Sequence, residues 1–298
     1  MWNRRTKDGV KKAIEHFEAA IALDPGYARA YSGLADSYAS LPRYGLMNSS
    51  IAAEKAETAA LKALEIDPGM SEAYASLGFV TQHYKWDWAG AEQAYKRAIE
   101  LNPNYAPAHQ WYGWYLGFMG RSEQSIAEVK RALELDPLSV MINATMGHAY
   151  MWAGQYDRAI EQSRKALDLE PDFVPAHWCI GYCYVQKGMY DEALREFQQE
   201  NDPVDLGSAY AAAGRTKDVE KTLARATTSV KKAFIYAEMG RVDESLEWLQ
   251  KTCDDRSFAP FSPLEFRWRV RLYPRLTHDS RYLAILRSLK LESWPRNH

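Results

Sequence analysis

The chain has 298 residues, 47% of them hydrophobic and 26% charged, which is the composition of a folded globular protein and not of a disordered one. A formal net charge of -2 gives no overall bias toward nucleic acid or acidic membrane. No run approaches the roughly 18 consecutive apolar residues of a membrane span. The charge is unevenly placed, with nine Lys or Arg against three Asp or Glu from Arg256 onward. Cys179, Cys183 and Cys253 have no framework spacing and read as free thiols of a reducing compartment. The basic start, Met1 to Arg5, is followed by no apolar stretch and is no secretory signal, so the expected location is the cytoplasm.

Taken in chain order, residues 9–24 read as a helix with Ala13, Phe17 and Ala20 on one face. Only eight residues precede it, too few for a full first helix, so either the chain is a fragment or this exposed helix is expected to be met by a neighbouring domain or by self-association. Residues 28–68 hold two helices separated by LPRYGLMNSS (41–50), whose Pro, Gly, Asn and Ser predict a surface loop. The next pair carries one extra residue near Trp86 and Trp88, with Asp87 as the expected N-cap of the following helix. Three regular pairs follow to about residue 200. Beyond them, helices are predicted near 204–213, 216–227, 229–239 and 242–252, with Gly214 and Gly240 as turn markers only 26 residues apart. Phe266, Trp268, Val270 and Leu272 alternate with Arg267, Arg269 and Arg271, an extended pattern whose basic stripe (267–271) reads as a solvated face. Asp279 is a candidate N-cap for a terminal capping helix that buries Tyr282, Ile285, Leu286 and Leu289. The predicted division is 1–252 for the helical array and 253–298 for the extended segment and cap.

A repeat underlies these pairs. Leu-Asp-Pro or a close variant ends at Pro25, Pro68, Pro103, Pro137 and Pro171, with spacings of 43, 35, 34 and 34. When each closing proline is numbered position 32, position 8 is Ala35, Gly78, Gly113, Gly147 and Gly181. Position 20 is Ala13, Ala56, Ala91, Ser125, Ala159 and Ala193, and position 27 is Ala20, Ala63, Ala98, Ala132 and Ala166. Small residues at fixed places let two antiparallel helices approach, large ones at positions 4, 7, 11 and 24 fill the space, and the proline stops the second helix. With its 34-residue period, the chain resembles the tetratricopeptide-repeat superfamily over roughly residues 9–252. The segments WNRRT (2–6), GLADSYA (33–39), WDWAGAE (86–92) and LNPNYAPAH (101–109) are similar to the repeat region of bacterial multidomain regulators, where it commonly follows a winged-helix, kinase or cyclase domain. The fold implied is all-α, a right-handed superhelical solenoid of antiparallel helix pairs.

Chemistry is sparse by comparison. The sequence has no phosphate-binding P-loop, no His-Glu-x-x-His and no Gly-x-Ser-x-Gly, so no enzyme activity, cofactor or metal is expected. His177, Cys179 and Cys183 share a helix, but cysteine is commonly a small core residue and His177 occupies packing position 4. Resemblance to the family implies that first helices line a concave groove through positions 2, 5, 9, 12 and 13. Carried over, these are Arg29, Ser32, Asp36, Glu72, Phe79, Gln82, His83, Gln110, Trp114, Phe118, Met141, His148, Met151, Trp152, Trp178, Tyr182 and Gln186. Packing does not oblige these positions to be aromatic, yet six are. If a third of each ring were exposed, they would present on the order of 300–500 Å². The expected function is protein–protein interaction, with a partner segment held by Phe79, His83, Gln110, Trp114, Phe118, His148, Trp152, Trp178, Tyr182 and Gln186. Trp114, Trp152 and Trp178 are the expected anchors. The alternative is a small-molecule sensor closed by the same rings, with Gln110, His148 and Gln186 converging. Neither nucleic acid nor membrane is an expected partner. Some family members grip acidic chaperone tails with Lys, Arg or Asn at positions 2, 5, 6 and 9. Positions 5 and 9 here hold none of these, so such tails are not expected to bind.

Overall fold

The computed structural model describes residues 7–199, 201–255 and 274–291. Among them every regular element is helical: α1 (Lys7–Leu23), α2 (Ala28–Ser40), α3 (Ser49–Ile66), α4 (Ser71–Val80), α5 (Trp88–Leu101), α6 (Ala106–Phe118), α7 (Ser122–Leu135), α8 (Val140–Trp152), α9 (Tyr156–Leu169), α10 (Val174–Gln186), α11 (Tyr190–Phe197), α12 (Pro203–Ala212), α13 (Thr216–Arg225), α14 (Ser229–Glu238), α15 (Val242–Asp254), α16 (Pro274–Thr277) and α17 (Ser280–Ser288). The helices predicted beyond residue 200 agree with α12–α15 to within a few residues. None of the described helices is long and apolar enough to cross a membrane. The chain forms two compact bodies, divided between Tyr115 and Leu116 inside α6. The alternating stretch 266–272, with Arg267, Arg269 and Arg271, lies outside the described residues.

The small positions do what the period requires. In the N-terminal body, a Cβ built on Gly78 would come within 2.6 Å of the Tyr95 ring. Tyr95 is fully enclosed, its phenol donates to Gln82 Oε1 at 2.9 Å, and burial holds that phenol well above its ordinary pKa. In the C-terminal body, Gly181 is closed on by Phe197 and Gly147 by the hydroxyl of Ser163. Alanines recur where one repeat meets the next: Ala63 with Ala73, Ala98 with Ala75 and Ala108, and Ala166 with Ala144 and Ala176. Each contributes little area. Together they let helices approach until flanking rings such as Tyr105 and Phe173 cover the junction, and those rings bring most of the apolar burial.

Position 4 is not the plain space-filler the repeat pattern predicts. His109 Nε2 donates to the carbonyl of Pro103 at 3.0 Å, Asn143 Nδ2 to Pro137 at 2.9 Å and His177 Nε2 to Pro171 at 2.8 Å. A carbonyl can only accept, which fixes the donating nitrogen in each case. Three successive repeats thus hook onto the closing proline of the one before. Proline itself cannot donate, but its carbonyl at the end of a helix needs a partner. Asn143 also accepts from Gln162 Nε2 at 2.8 Å, and both residues are buried. Asn143→Leu should therefore lower stability by about 1–3 kcal/mol, because it strands a buried amide as well as a carbonyl. Urea unfolding beside the exposed control Lys130→Ala checks this, and equal midpoints would show the hook to be incidental.

Two local features depart from expectation. The 41–50 insertion is more than a surface loop. It forms a 3-10 turn over Leu41–Tyr44, with Leu41 buried and Leu46 and Met47 packed against the core around Val10, Leu34 and Tyr38. Asn48 then caps α3 by accepting from the Ser50 amide at 2.8 Å. Its apolar residues explain the difference: a loop bearing Leu, Leu and Met covers an otherwise open end of the core. The extra residue before Trp88 is absorbed as a π-turn over Thr81–Lys85, after which Trp86 takes a left-handed conformation with φ 58°. Asp87 caps α5 as predicted, accepting from the Gly90 amide at 3.0 Å. At the other end, Asp279 caps α17, whose Tyr282, Ile285 and Leu286 are buried and which packs on α15.

Candidate functional site

The first helices of successive repeats bring the expected groove positions together as two separate groups, one in each body. In the C-terminal body they form a continuous series of rings. Phe118 lies 4.8 Å from Trp152, Trp152 lies 5.9 Å from His148, His148 stacks on Trp178 at 5.2 Å, and Trp178 stacks on Tyr182 at 5.9 Å. The series ends on a carboxylate: the Trp178 indole N–H donates to Asp205 Oδ1 on α12 at 3.1 Å. In the N-terminal body, Phe79 stacks on His83 at 4.0 Å and tilts against Trp111 at 5.7 Å, while Gln110 is buried and Trp114 half-buried. His83 Nδ1 lies 3.1 Å from the Phe79 carbonyl and donates to it.

Exposure corrects the expected set. Phe118, Trp152 and Tyr182 are 4%, 7% and 9% exposed, and His148 2%, so these rings are largely packing. Trp152 shows why. Its benzene edge lies where a Cβ on Gly117 would be, 1.9 Å from that position. A glycine at position 12 of one repeat admits the tryptophan at position 13 of the next, and the ring serves as a wedge between them. Three of the six rings predicted to leave a third of their surface to a partner leave far less. Trp178, Trp114, Phe79 and His83 remain half-buried, and Gln186 is exposed at the end of α10. Of the three expected anchors, Trp152 is thus placed as a structural wedge, while Trp114 and Trp178 keep accessible surface.

Sequence reasoning missed two members. Trp111 sits at position 6, which is not among the five groove positions carried over, and joins Phe79 because α4 and α6 are neighbours. Asp205 lies in the first turn of α12, in the part of the chain where the period fails, yet it is only 6% exposed. The combination of a first-turn acid and its burial is the signal, and only the first half of it is written in the sequence. Ser76 Oγ lies within hydrogen-bond reach of the Asp36 carboxylate, at a groove position, and of the backbone carbonyl of Glu72 one turn earlier. The Tyr105 phenol is raised above its ordinary pKa by burial first, then by Asp36 and Glu72.

The His177, Cys179 and Cys183 constellation does not converge on a metal position. His177 Nδ1 is 2.6 Å from Glu196 Oε2, and its Nε2 is taken by Pro171. Both thiols are buried, and contact with Cys179, followed by burial, pushes the Cys183 thiol up. Among the described residues no group of three His, Cys, Asp or Glu is placed to hold a metal ion.

Comparisons with known proteins bear on the whole chain. Family models described as tetratricopeptide repeats match residues 7–46 and 94–127, and one described as a TPR repeat matches 147–188. The transcriptional regulator HilA of Salmonella typhimurium is 26% identical over 127 residues, which is 43% of this chain and 23% of that protein. The aligned part is therefore under a quarter of the relative's own length. Among solved structures, the Cut9–Hcn1 hetero-tetramer of the APC/C superimposes with a TM-score of 0.60 at 14% identity, covering 91% of this chain and 56% of that one. The human IFIT1 dimer with m7Gppp-AAAA superimposes with a TM-score of 0.59 at 16% identity, covering 85% and 69%. At these identities the likeness is one of fold.

Proposed function

We propose that this chain, a member of the tetratricopeptide-repeat superfamily, is a non-enzymatic protein-interaction scaffold that docks an extended partner segment on the inner face of its C-terminal body. One observation carries the reading: a run of aromatic rings on successive first helices that includes the half-buried Trp178. Inter-repeat packing explains Phe118 and Trp152. It does not explain a half-buried tryptophan held flat between His148 and Tyr182 and oriented by a hydrogen bond to Asp205. A rigid, pre-oriented indole is the kind of side chain that dominates binding energy, since it contributes large contact area at little entropic cost. The sensor alternative needs Gln110, His148 and Gln186 to converge on a small ligand. Gln110 is buried, His148 is enclosed in the ring series and Gln186 is exposed at the end of α10, so the scaffold reading is preferred. Three free cysteines are in keeping with a reducing compartment such as the cytoplasm.

The test is selection of binding peptides from a random library on the wild-type chain, followed by affinity measurement on variants. Trp178→Ala should weaken the selected peptides roughly 30-fold, the loss of about 2 kcal/mol expected at a hot spot. Its helical signal and unfolding midpoint should stay near wild type. Glu161→Ala, on the exposed side of α9, should bind as wild type. Retained binding by folded Trp178→Ala together with loss in Glu161→Ala would move the docking surface to the outer face.

A further inference from the structure

We infer that a cleft on the exposed side of α9 is a binding site for a small zwitterion, an α-amino acid with an apolar side chain. The site is separate from the inner-face rings and does not rest on the docking reading above. The cleft runs along α9 beside the end of α10 and the start of α11, and its volume is about 460 Å³. Small-molecule sites typically occupy about 300–1,000 Å³. Ile160, which is 7% exposed, and Met189 give it an apolar lining. Its charges fall into two sets. Lys187 pairs with Asp157, and Lys165 pairs with Glu161 at 3.1 Å, so these four residues cancel one another. Arg164 and Asp168 line the same cleft, and among the described residues neither belongs to an ion pair. Arg164 Nη2 donates instead to the Tyr184 hydroxyl at 3.0 Å, a neutral partner. The phenol accepts that bond, and its own proton has no acceptor among the described residues.

Arg164 and Asp168 lie one turn apart on one side of α9, with the cation first. That order is the less favourable one for an i,i+4 pair, because the helix dipole favours an acid toward the N-terminus and a base toward the C-terminus. The two charges therefore stand side by side without cancelling, roughly 5–6 Å apart at their Cβ atoms. Such a pair matches a ligand that carries both signs on neighbouring atoms. The guanidinium fork and the Tyr184 hydroxyl offer donors to a carboxylate. The Asp168 carboxylate can only accept, which suits an ammonium. With both ends met, an aliphatic side chain falls against Ile160 and Met189. A plain carboxylate would gain from Arg164 and be opposed by Asp168, and a plain amine the reverse. Both side chains are exposed, so each contact alone is screened and weak. Selectivity comes from satisfying the two together.

The experiment titrates the isotope-labelled full chain with leucine, isocaproate and isoamylamine and follows the backbone amide signals. The three share one apolar group; isocaproate lacks the ammonium and isoamylamine lacks the carboxylate. Leucine should saturate below about 10 mM, with shifts confined to α9 and the α10–α11 turn. Isocaproate and isoamylamine should each bind about fivefold more weakly. Arg164→Gln should weaken leucine about fivefold and leave isoamylamine no weaker. Asp168→Asn should weaken leucine to the same degree and leave isocaproate no weaker. Both positions are exposed, so the fold is retained in each variant. Isocaproate or isoamylamine binding as tightly as leucine overturns the inference. So does a variant that keeps wild-type leucine affinity, saturation with shifts elsewhere in the chain, or no saturation by about 10 mM.

Discussion

Trp152→Ala should cost about 3–5 kcal/mol of stability, well beyond the same change at Trp178. Trp152 is 7% exposed and touches Phe118 and His148. Its six-membered ring fills the space that the missing side chain of Gly117 leaves. Truncation opens a cavity lined by a glycine backbone, and a backbone held in two helix ends cannot collapse into it. Trp178 is half-buried rather than enclosed, so its truncation removes less packing and should act mainly on binding. The pair is thus separable by two measurements. Urea unfolding should place Trp152→Ala far below wild type and Trp178→Ala near it, whereas peptide affinity should rank folded Trp178→Ala as the weaker binder. A Trp152→Ala protein as stable as wild type would mean that the ring is not a wedge, and it would return Trp152 to the list of docking residues. Because repeat arrays can lose cooperativity, hydrogen exchange in α8 and α10 should accompany the unfolding curves.

Gly181→Leu should destabilise by about 3 kcal/mol, at the upper end of what overpacking usually costs. A Cβ at this position falls 2.5 Å from Phe197 Cε1 and 2.8 Å from Cδ1, and Phe197 is itself only 3% exposed. Leucine adds three further carbons in the same direction. The ring cannot retreat without parting α10 from α11. Pairing the change with Phe197→Ala checks the mechanism, since each single variant harms the contact in an opposite sense. The double variant should be more stable than the sum of the two losses predicts, by about 1 kcal/mol or more. Strict additivity would mean that the two residues do not share the space, and the helix register proposed from position 8 would be wrong here.

The position-8 glycines were legible because their cause is local and periodic. Gly78, Gly147 and Gly181 each oppose position 24 of their own repeat, Tyr95, Ser163 and Phe197, so the same spacing recurs wherever the chain keeps the period. Helices α12–α15 were found despite the loss of period because Gly214 and Gly240 mark left-handed turns, where φ is 70° and 69° and a Cβ would be strained. The 41–50 insertion was misjudged for a related reason. Its Pro, Gly, Asn and Ser announce a turn, but whether Leu41, Leu46 and Met47 find a core depends on residues far away in sequence, Val10 among them.

The sequence by itself determined the helix pairs and their small contact positions, since both follow from a 34-residue period and the sizes of side chains within it, while the inward-facing positions are what resemblance to the family implies. It could not decide which inward rings remain accessible. The exposure of a ring at position 5, 9 or 13 is set by its neighbours: Gly117 admits Trp152, Trp152 and Trp178 flank His148, and Trp178, stacked on His148 and Tyr182, stays half-buried. Nor could it place Asp205 beside that indole, because the contact joins two helices 27 residues apart, one within the period and one beyond it. Side-chain volume is a local property and can be read in order along the chain. Burial and charge pairing belong to surfaces assembled from several repeats, and they exist only once those repeats are stacked.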